Sequence, residues 1–169
     1  MTNASKAQVT VVNHVATDIA VPPDVVWREI ITSFVEGRRW RETNFAVTPI
    51  EDLAAVLGGY RMRLERPDGT VDERIVHISE RDDAARRLSL FVDFVSVPDG
   101  LLVFASYQAH ACADCHARYT IDCHTRMAVD AQADIASAVE QMKTHSDRYL
   151  TDYLAGVRHR LEQPPGEPQ

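Results

Sequence analysis

The residues best suited to chemistry are three cysteines and three histidines that lie between positions 110 and 124. The densest part reads Cys112-Ala-Asp-Cys115-His116, a Cys-x-x-Cys-His spacing that serves covalent haem attachment. Thiol and imidazole groups are also the ligands that zinc prefers. Haem attachment follows export, and the first residues of the chain contain no apolar signal core, so we do not expect haem.

Strand alternation separates these groups. In the last predicted strand Cys115 and Cys123 point to one face, whereas His116 and His124 point to the other. We therefore predict an inert hairpin end, with no metal and no cofactor, and a reducing compartment opposes a disulfide between Cys112 and Cys115. The alternative is a metal ion at the hairpin tip, bound by His110, Cys112 and His116.

A carboxylate and an imidazole, Glu73 and His77, are candidates for an acid, a base or a polar anchor. The Asp68-Gly69 pair predicts a two-residue turn between two alternating strands. That turn pairs Tyr60 with His77, Met62 with Ile75 and Leu64 with Glu73, all on the face toward the helix. Glu73 and His77 are then about 13 Å apart, too far for a direct hydrogen bond. The alternative is that both lie at the sheet margin and reach solvent.

The last two predicted strands share a face of small residues and tyrosines. An odd loop over Cys112–Asp114 keeps both apolar faces on one side of the sheet. It pairs Ala111 with Cys115, Ala109 with Ala117 and Tyr107 with Tyr119. Together with Ala105 these alanines leave volume on that face. Either the long helix approaches closely there or an internal cavity remains.

The longest predicted helix runs from about Ala133 to Glu162, with Asp130 or Asp134 as its N-terminal cap. Its apolar residues recur at spacings of three and four, the pattern of a helix with one buried face. About thirty helical residues span roughly 45 Å. We expect the strands to cover this face and to bury Met142, Tyr149 and Tyr153.

The first third of the chain predicts a strand over Val9–Val21 and, after two prolines, a short helix over Asp24–Val35. Three arginines then surround one tryptophan in Arg38-Arg39-Trp40-Arg41. We interpret this stretch as a solvated turn with one packed ring. The alternative is a surface for an anionic ligand or a partner.

This order of elements, with the opening Val-Pro-Pro-Asp-Val-Val-Trp at positions 21–27, resembles the SRPBCC superfamily. That group holds the START-like lipid-binding domains, the birch-pollen-allergen fold and polyketide cyclases. The resemblance covers roughly residues 8 to 162 and includes no catalytic signature. It implies an α+β helix-grip fold, in which a seven-stranded antiparallel sheet curls around the long C-terminal helix and encloses a pocket for an apolar or aromatic molecule.

Composition limits the class of partner. The chain has 169 residues, of which 45% are hydrophobic and 25% charged, as is usual for one globular domain. A net charge of −7 and a pI of about 5.4 argue against nucleic acid. No apolar run approaches the ~18 residues of a membrane span, and we expect a cytoplasmic protein. We expect residues 1–7 and 163–169 to be disordered around a single domain of residues 8–162.

We therefore predict a protein that binds a hydrophobic or aromatic small molecule in a cavity between the sheet and the C-terminal helix. The alternative is an enzyme of the polyketide cyclase or dehydratase kind acting on such a molecule. The sequence leaves open the identity of the ligand and whether two copies form a homodimer. The predicted ligand-binding residues are Tyr60, Met62, Glu73, His77, Tyr107, Ala109, Tyr119, Met142, Tyr149 and Tyr153.

Overall fold

The computed structural model describes residues 5–50, 57–113 and 116–163. Within these residues the seven strands are β1 (Lys6–Ile19), β2 (Ala46–Pro49), β3 (Gly59–Glu65), β4 (Val71–Asp82), β5 (Arg87–Asp93), β6 (Leu101–Ala111) and β7 (Ala117–Asp130). The helices are α1 (Pro23–Ile30), α2 (Arg38–Glu42) and α3 (Ile135–Glu162), and a π-helical turn, Ile31–Val35, connects α1 to α2.

The strands form one antiparallel sheet in the order β1-β7-β6-β5-β4-β3-β2. Strands β2 to β7 follow one another as a meander, and β1 closes the other side by pairing with β7 from Lys6 to Ile19. The predicted α+β architecture, a seven-stranded antiparallel sheet with a long C-terminal helix, is confirmed. Lys6 pairs with Asp130, so residues 6 and 7 belong to the sheet, and the prediction that these two residues are disordered is wrong.

Helix α3 lies along β1. Asp134 caps it by accepting a hydrogen bond from the Ser137 amide at 3.1 Å. Asn13, on the inner face of β1, donates to the Lys143 carbonyl at 3.2 Å and to Asp147 Oδ1 at 2.7 Å. At the other end of the helix a carboxylate oxygen of Glu162 accepts from the Ala20 amide at 2.8 Å. These polar contacts fix the rotation of α3 about its own axis.

That rotation differs from the predicted one. The side facing β1 carries Lys143, Asp147, Leu150, Leu154 and Val157, of which Leu154 and Val157 are the fully buried residues. The prediction that Tyr149 is buried is wrong, because the contact between Asn13 and Asp147 turns Tyr149 outward to 51% exposure. Tyr153 and Met142 are half-buried.

Replacing Asn13 by alanine should loosen α3 from the sheet. The change removes two hydrogen bonds, one of them to a carboxylate, and we expect the free energy of unfolding to fall by about 1.5 kcal/mol. Urea unfolding followed by tryptophan fluorescence measures this. Val12→Ala, at the exposed neighbouring position, is the control and should change stability little. Equal effects of both substitutions would contradict the anchoring role.

The short helices, not α3, cover the alanine-rich face. Val26, Ile30 and Phe34 are buried in the same core as Ala105 and Ala109, and α1 contacts β6 and β7. The ring of Phe34 stacks on Tyr107, with 4.1 Å between their centroids. The alanines therefore make room for α1 and the π-helical turn, which occupy the place of the cavity predicted beneath α3.

The loop between β3 and β4 has three residues, Pro67-Asp68-Gly69, so the predicted two-residue turn is wrong. The Arg66 amide donates to the Thr70 carbonyl at 2.9 Å, and Gly69 adopts a φ of 81°. One extra loop residue shifts the strand register by one position, which turns every side chain of β4 to the opposite face. The observed pairs are Tyr60 with Val76, Met62 with Arg74 and Leu64 with Asp72.

Glu73 and His77 consequently lie on the outer face of the sheet, and the prediction that they share the side facing the helix is wrong. Glu73 forms a salt bridge with Arg61 at 3.1 Å. The His77 ring stacks on Phe91, with 6.0 Å between centroids. Arg74 takes the inner position that the sequence pattern assigned to its neighbour.

The β6–β7 hairpin keeps the predicted faces although its register differs. Ala111 pairs with Ala117, Ala109 with Tyr119 and Tyr107 with Ile121. The register of β7 against β6 is shifted by two positions from the predicted one, and a shift of two positions leaves each side chain on the same face. Cys115 lies outside the described residues. Within the described part of the chain no three His, Cys, Asp or Glu side chains come together as metal ligands.

In the parts of the chain that the structure describes, no helix is both long enough and apolar enough to span a membrane.

Candidate functional site

A cleft of about 240 Å³ opens between α3 and the segment formed by the π-helical turn and α2. We call it the α2–α3 cleft. Its size suits a molecule smaller than a typical drug, for which pockets of at least ~300 Å³ are common. The lining residues are Ser33, Arg39, Glu42, Asp152, Tyr153, Gly156, Val157 and Arg160.

The π-helical turn shapes one wall of the cleft. The Glu36 amide donates to the Ile31 carbonyl at 3.1 Å, a five-residue spacing that inserts one residue into the helical path. Ser33 therefore turns toward α3, where it is almost fully buried. Gly37 then redirects the chain into α2 with a left-handed φ of 71°, a conformation that other residues rarely adopt.

A buried carboxylate, Glu29, joins three elements behind this wall. It accepts hydrogen bonds from Ser33 Oγ at 2.9 Å, from Arg38 Nη2 at 2.6 Å and from Arg160 Nη2 at 2.5 Å. Burial alone would raise the pKa of the Glu29 carboxyl, but the hydrogen bonds from Arg38, Ser33 and Arg160 outweigh burial and lower it. Glu29 is thus ionised at neutral pH, and its hydrogen bonds hold α1, α2 and α3 together.

Two phenol hydroxyls lie beneath the cleft. Tyr153 lines the cleft with its ring, and Tyr119 meets it edge to face, with 6.4 Å between centroids. Burial raises the pKa of both phenols, so they remain protonated donors at neutral pH. The two groups influence each other's pKa, yet among the described residues neither hydroxyl has a hydrogen bond of normal geometry. Buried donors of this kind are rare and call for a physical explanation.

Arg39 lies at the mouth of the cleft against aromatic rings. Its guanidinium carbon is 3.9 Å from the centroid of Tyr153, 5.4 Å from that of Tyr149 and 5.6 Å from that of Trp40. These distances fall within the ~6 Å range of a cation–π contact. Arg39 Nη2 also donates to the Tyr149 hydroxyl at 2.6 Å. Arg39 is therefore part of the cleft, and the prediction of a solvated turn with one packed ring is wrong for this residue.

The predicted site residues divide into three groups. Tyr153 lines the cleft, Tyr149 contacts Arg39 at its mouth, and Tyr119 lies directly beneath. Met142 is on α3 but several turns away from the cleft. The others are packed in the core or lie on the outer face of the sheet: Tyr60, Met62, Tyr107 and Ala109 in the core, and Glu73 and His77 outside.

Tyr60 shows why a core tyrosine need not be a ligand contact. Its hydroxyl donates to the Phe34 carbonyl at 2.7 Å and accepts from Trp40 Nε1 at 2.7 Å. Burial raises the pKa of this phenol as well. Both hydrogen-bonding roles of the hydroxyl are filled, so it ties β3 to the short helices and has a structural role.

Sequence reasoning missed Glu29, Ser33 and Arg160. One signal was present, since Glu29 and Ser33 are four residues apart and border the apolar face of the first helix. Arg160 could not be found in this way, because it is 131 positions away from Glu29 in the sequence.

No family model matches the chain, and no curated protein matches it. Solved structures do match. The sheet wrapped along α3, with short helices after the first strand, is the helix-grip fold that the sequence resemblance predicts. At the low identities given next, the likeness concerns the fold alone.

Three of these structures show the extent of the likeness. The di-domain ARO/CYC BexL from the BE-7585A biosynthetic pathway has a TM-score of 0.60 at 17% identity, over 92% of this chain and 51% of BexL. Ara h 8.0201 has a TM-score of 0.59 at 13% identity, over 90% of this chain and 99% of its own. A protein from Thermobifida fusca, solved by NMR, has a TM-score of 0.56 at 19% identity, over 94% of this chain and 99% of its own.

Proposed function

We propose that this protein binds a small aromatic molecule in the α2–α3 cleft. The observation that carries the proposal is Gly156, which lines the cleft from within α3. No heavy atom lies within 4 Å of the place where a Cβ at this position would stand, apart from the immediate helix backbone. Glycine inside a helix costs about 0.5–1 kcal/mol relative to alanine. No contact within the protein requires a glycine at this position, whereas the need to leave room for a ligand would explain it.

The chemistry of the cleft favours an aromatic ligand. Val157 and the ring of Tyr153 supply an apolar floor, and Arg39 presents a planar cation beside them. A flat ring that enters over Gly156 can stack against these groups. The hydroxyl of Tyr153, which lines the cleft and has no hydrogen bond of normal geometry among the described residues, would meet an acceptor oxygen on the ligand after a small side-chain movement.

Binding has more support than proton transfer. The phenols have raised pKa values and do not act as bases at neutral pH. Glu29 is ionised, and the three hydrogen bonds that its Oε1 accepts help to keep its pKa below the usual value. A general base needs a pKa near the working pH. These groups therefore suit the recognition of a ligand better than the chemistry of a cyclase or dehydratase.

The test is a pair of phenylalanine substitutions at neighbouring positions on α3. Gly156→Phe places a ring in the cleft, and we expect it to weaken binding of the neutral aromatic dye N-phenyl-1-naphthylamine by at least about tenfold, as measured by dye fluorescence. Ala155→Phe, at an exposed position outside the cleft, is the matched control and should leave the dye affinity unchanged.

A third variant separates a blocked cleft from a damaged fold. Gly156→Ala should raise the free energy of unfolding by about 0.5–1 kcal/mol, because it improves helix propensity in open space. Dye binding that survives Gly156→Phe unchanged, in a variant that melts like the parent, would refute the proposal.

A further inference from the structure

We infer that the ligand of the α2–α3 cleft is an aromatic acid whose anionic group pairs with Arg39; this rests on the proposed function. Four charged side chains line the cleft, and three of them have partners of opposite charge. Glu42 pairs with Arg38 at 3.4 Å, Asp152 with Arg148 at 3.9 Å and Arg160 with Glu29 at 2.5 Å. Among the described residues, Arg39 has no carboxylate within salt-bridge distance, so it is the cation that a ligand could neutralise.

The surroundings of Arg39 keep its donors available. The guanidinium carries five N–H donors in a planar fork, and the described contacts use one of them, to the neutral hydroxyl of Tyr149. The faces of Tyr149, Tyr153 and Trp40 hold the group by cation–π contact, which does not consume the fork. A carboxylate matches this fork with two parallel hydrogen bonds.

The other charges in the cleft weaken this preference little. The carboxylates of Glu42 and Asp152 are at the rim, with side chains 58% and 73% exposed, and water and salt screen them. Arg39 is half-buried and stacks at 3.9 Å on the ring that forms the cleft floor. A ring lying over Gly156 would therefore bring its acidic substituent to Arg39 before it meets either rim carboxylate.

The test compares two naphthalenes of equal shape, 2-naphthoate, which is an anion at pH 7, and 2-naphthamide, which is neutral. We expect the parent protein to bind 2-naphthoate at least about tenfold more tightly, as expected for a charge-assisted hydrogen bond. Arg39→Gln should remove most of that preference, because it should lower the affinity for 2-naphthoate much more than the affinity for 2-naphthamide, which loses only a stacking contact. Arg41→Gln, on an exposed position of the same helix, should keep the preference.

The outcomes separate this inference from the proposed function. Equal binding of the two compounds, with both weakened by Gly156→Phe, would overturn the inference and leave the binding cleft intact. A preference for 2-naphthoate that survives Arg39→Gln would also overturn it. Binding that Gly156→Phe does not weaken would refute the cleft itself.

Discussion

Replacing Glu29 by glutamine is expected to lower the free energy of unfolding by about 3 kcal/mol at pH 7. The amide keeps the shape of the side chain but removes the charge that two guanidinium groups share. Arg38 and Arg160 would then face each other across a neutral group. We take the lower end of the effect for a broken buried ion pair, because both arginines are partly exposed.

The pKa of Glu29 also predicts how its contribution to stability changes with pH. The pKa of Glu29 in the folded protein is below its usual value of 4.5, so the carboxylate stabilises the fold above that pH. As pH falls through the folded pKa, this contribution is lost. The stability gap between the parent and Glu29→Gln should therefore be widest near neutral pH and should close in acid.

Thermal and urea unfolding at several pH values measure this gap. Glu36→Gln, on an exposed side chain close to the same arginines in sequence, is the control and should change stability little. A constant gap from neutral to acid pH would show that shape, not charge, makes Glu29 important.

Gly37→Ala is expected to destabilise the protein by about 3 kcal/mol. A non-glycine residue at a φ of 71° costs about 1–2 kcal/mol. The added Cβ would also stand 2.9 Å from Cγ1 of Val47, and overpacking of this kind costs about 1–3 kcal/mol. Because Gly37 sets the start of α2, the same change should displace Arg39 and weaken dye binding.

Two variants separate the backbone cost of Gly37→Ala from the cost of its clash with Val47. Gly69→Ala has a similar φ of 81° but open space around the Cβ, so it should show the backbone cost alone. Combining Gly37→Ala with Val47→Ala removes the clash and should recover part of the lost stability. Urea midpoints provide the comparison, and a Gly37→Ala effect no larger than that of Gly69→Ala would contradict the predicted contact.

The fold could be predicted from the sequence because its signals are local. Alternation marks the strands, spacings of three and four mark α3, and the turn residues separate the strands. Strand register depends on loop length, and the predicted register was wrong for both hairpins, with different consequences. The predicted β6–β7 register was wrong by two positions, which preserves faces, but the predicted β3–β4 register was wrong by one, which placed Glu73 and His77 on the outer face.

The cleft could be predicted only in part. The tyrosines of α3 were found because they border its apolar face, but the rotation that exposes Tyr149 depends on one long-range contact between Asn13 and Asp147. The partners of Glu29 come from three elements, and no local pattern connects them. Sequence periodicity describes one helix at a time, whereas this site exists only between helices.

The contact between Glu29 and Arg160 also affects how the chain can fold as the ribosome makes it. The two residues are 131 positions apart, so α1 leaves the ribosome long before the second arginine exists. Until then the carboxylate of Glu29 cannot be buried with its full set of donors. Strand β1 must likewise wait for β7, its only strand partner within the described sheet. A nascent chain lacking α3 therefore has no cleft, and capture of an aromatic dye would mark the moment when α3 has packed against the rest of the fold.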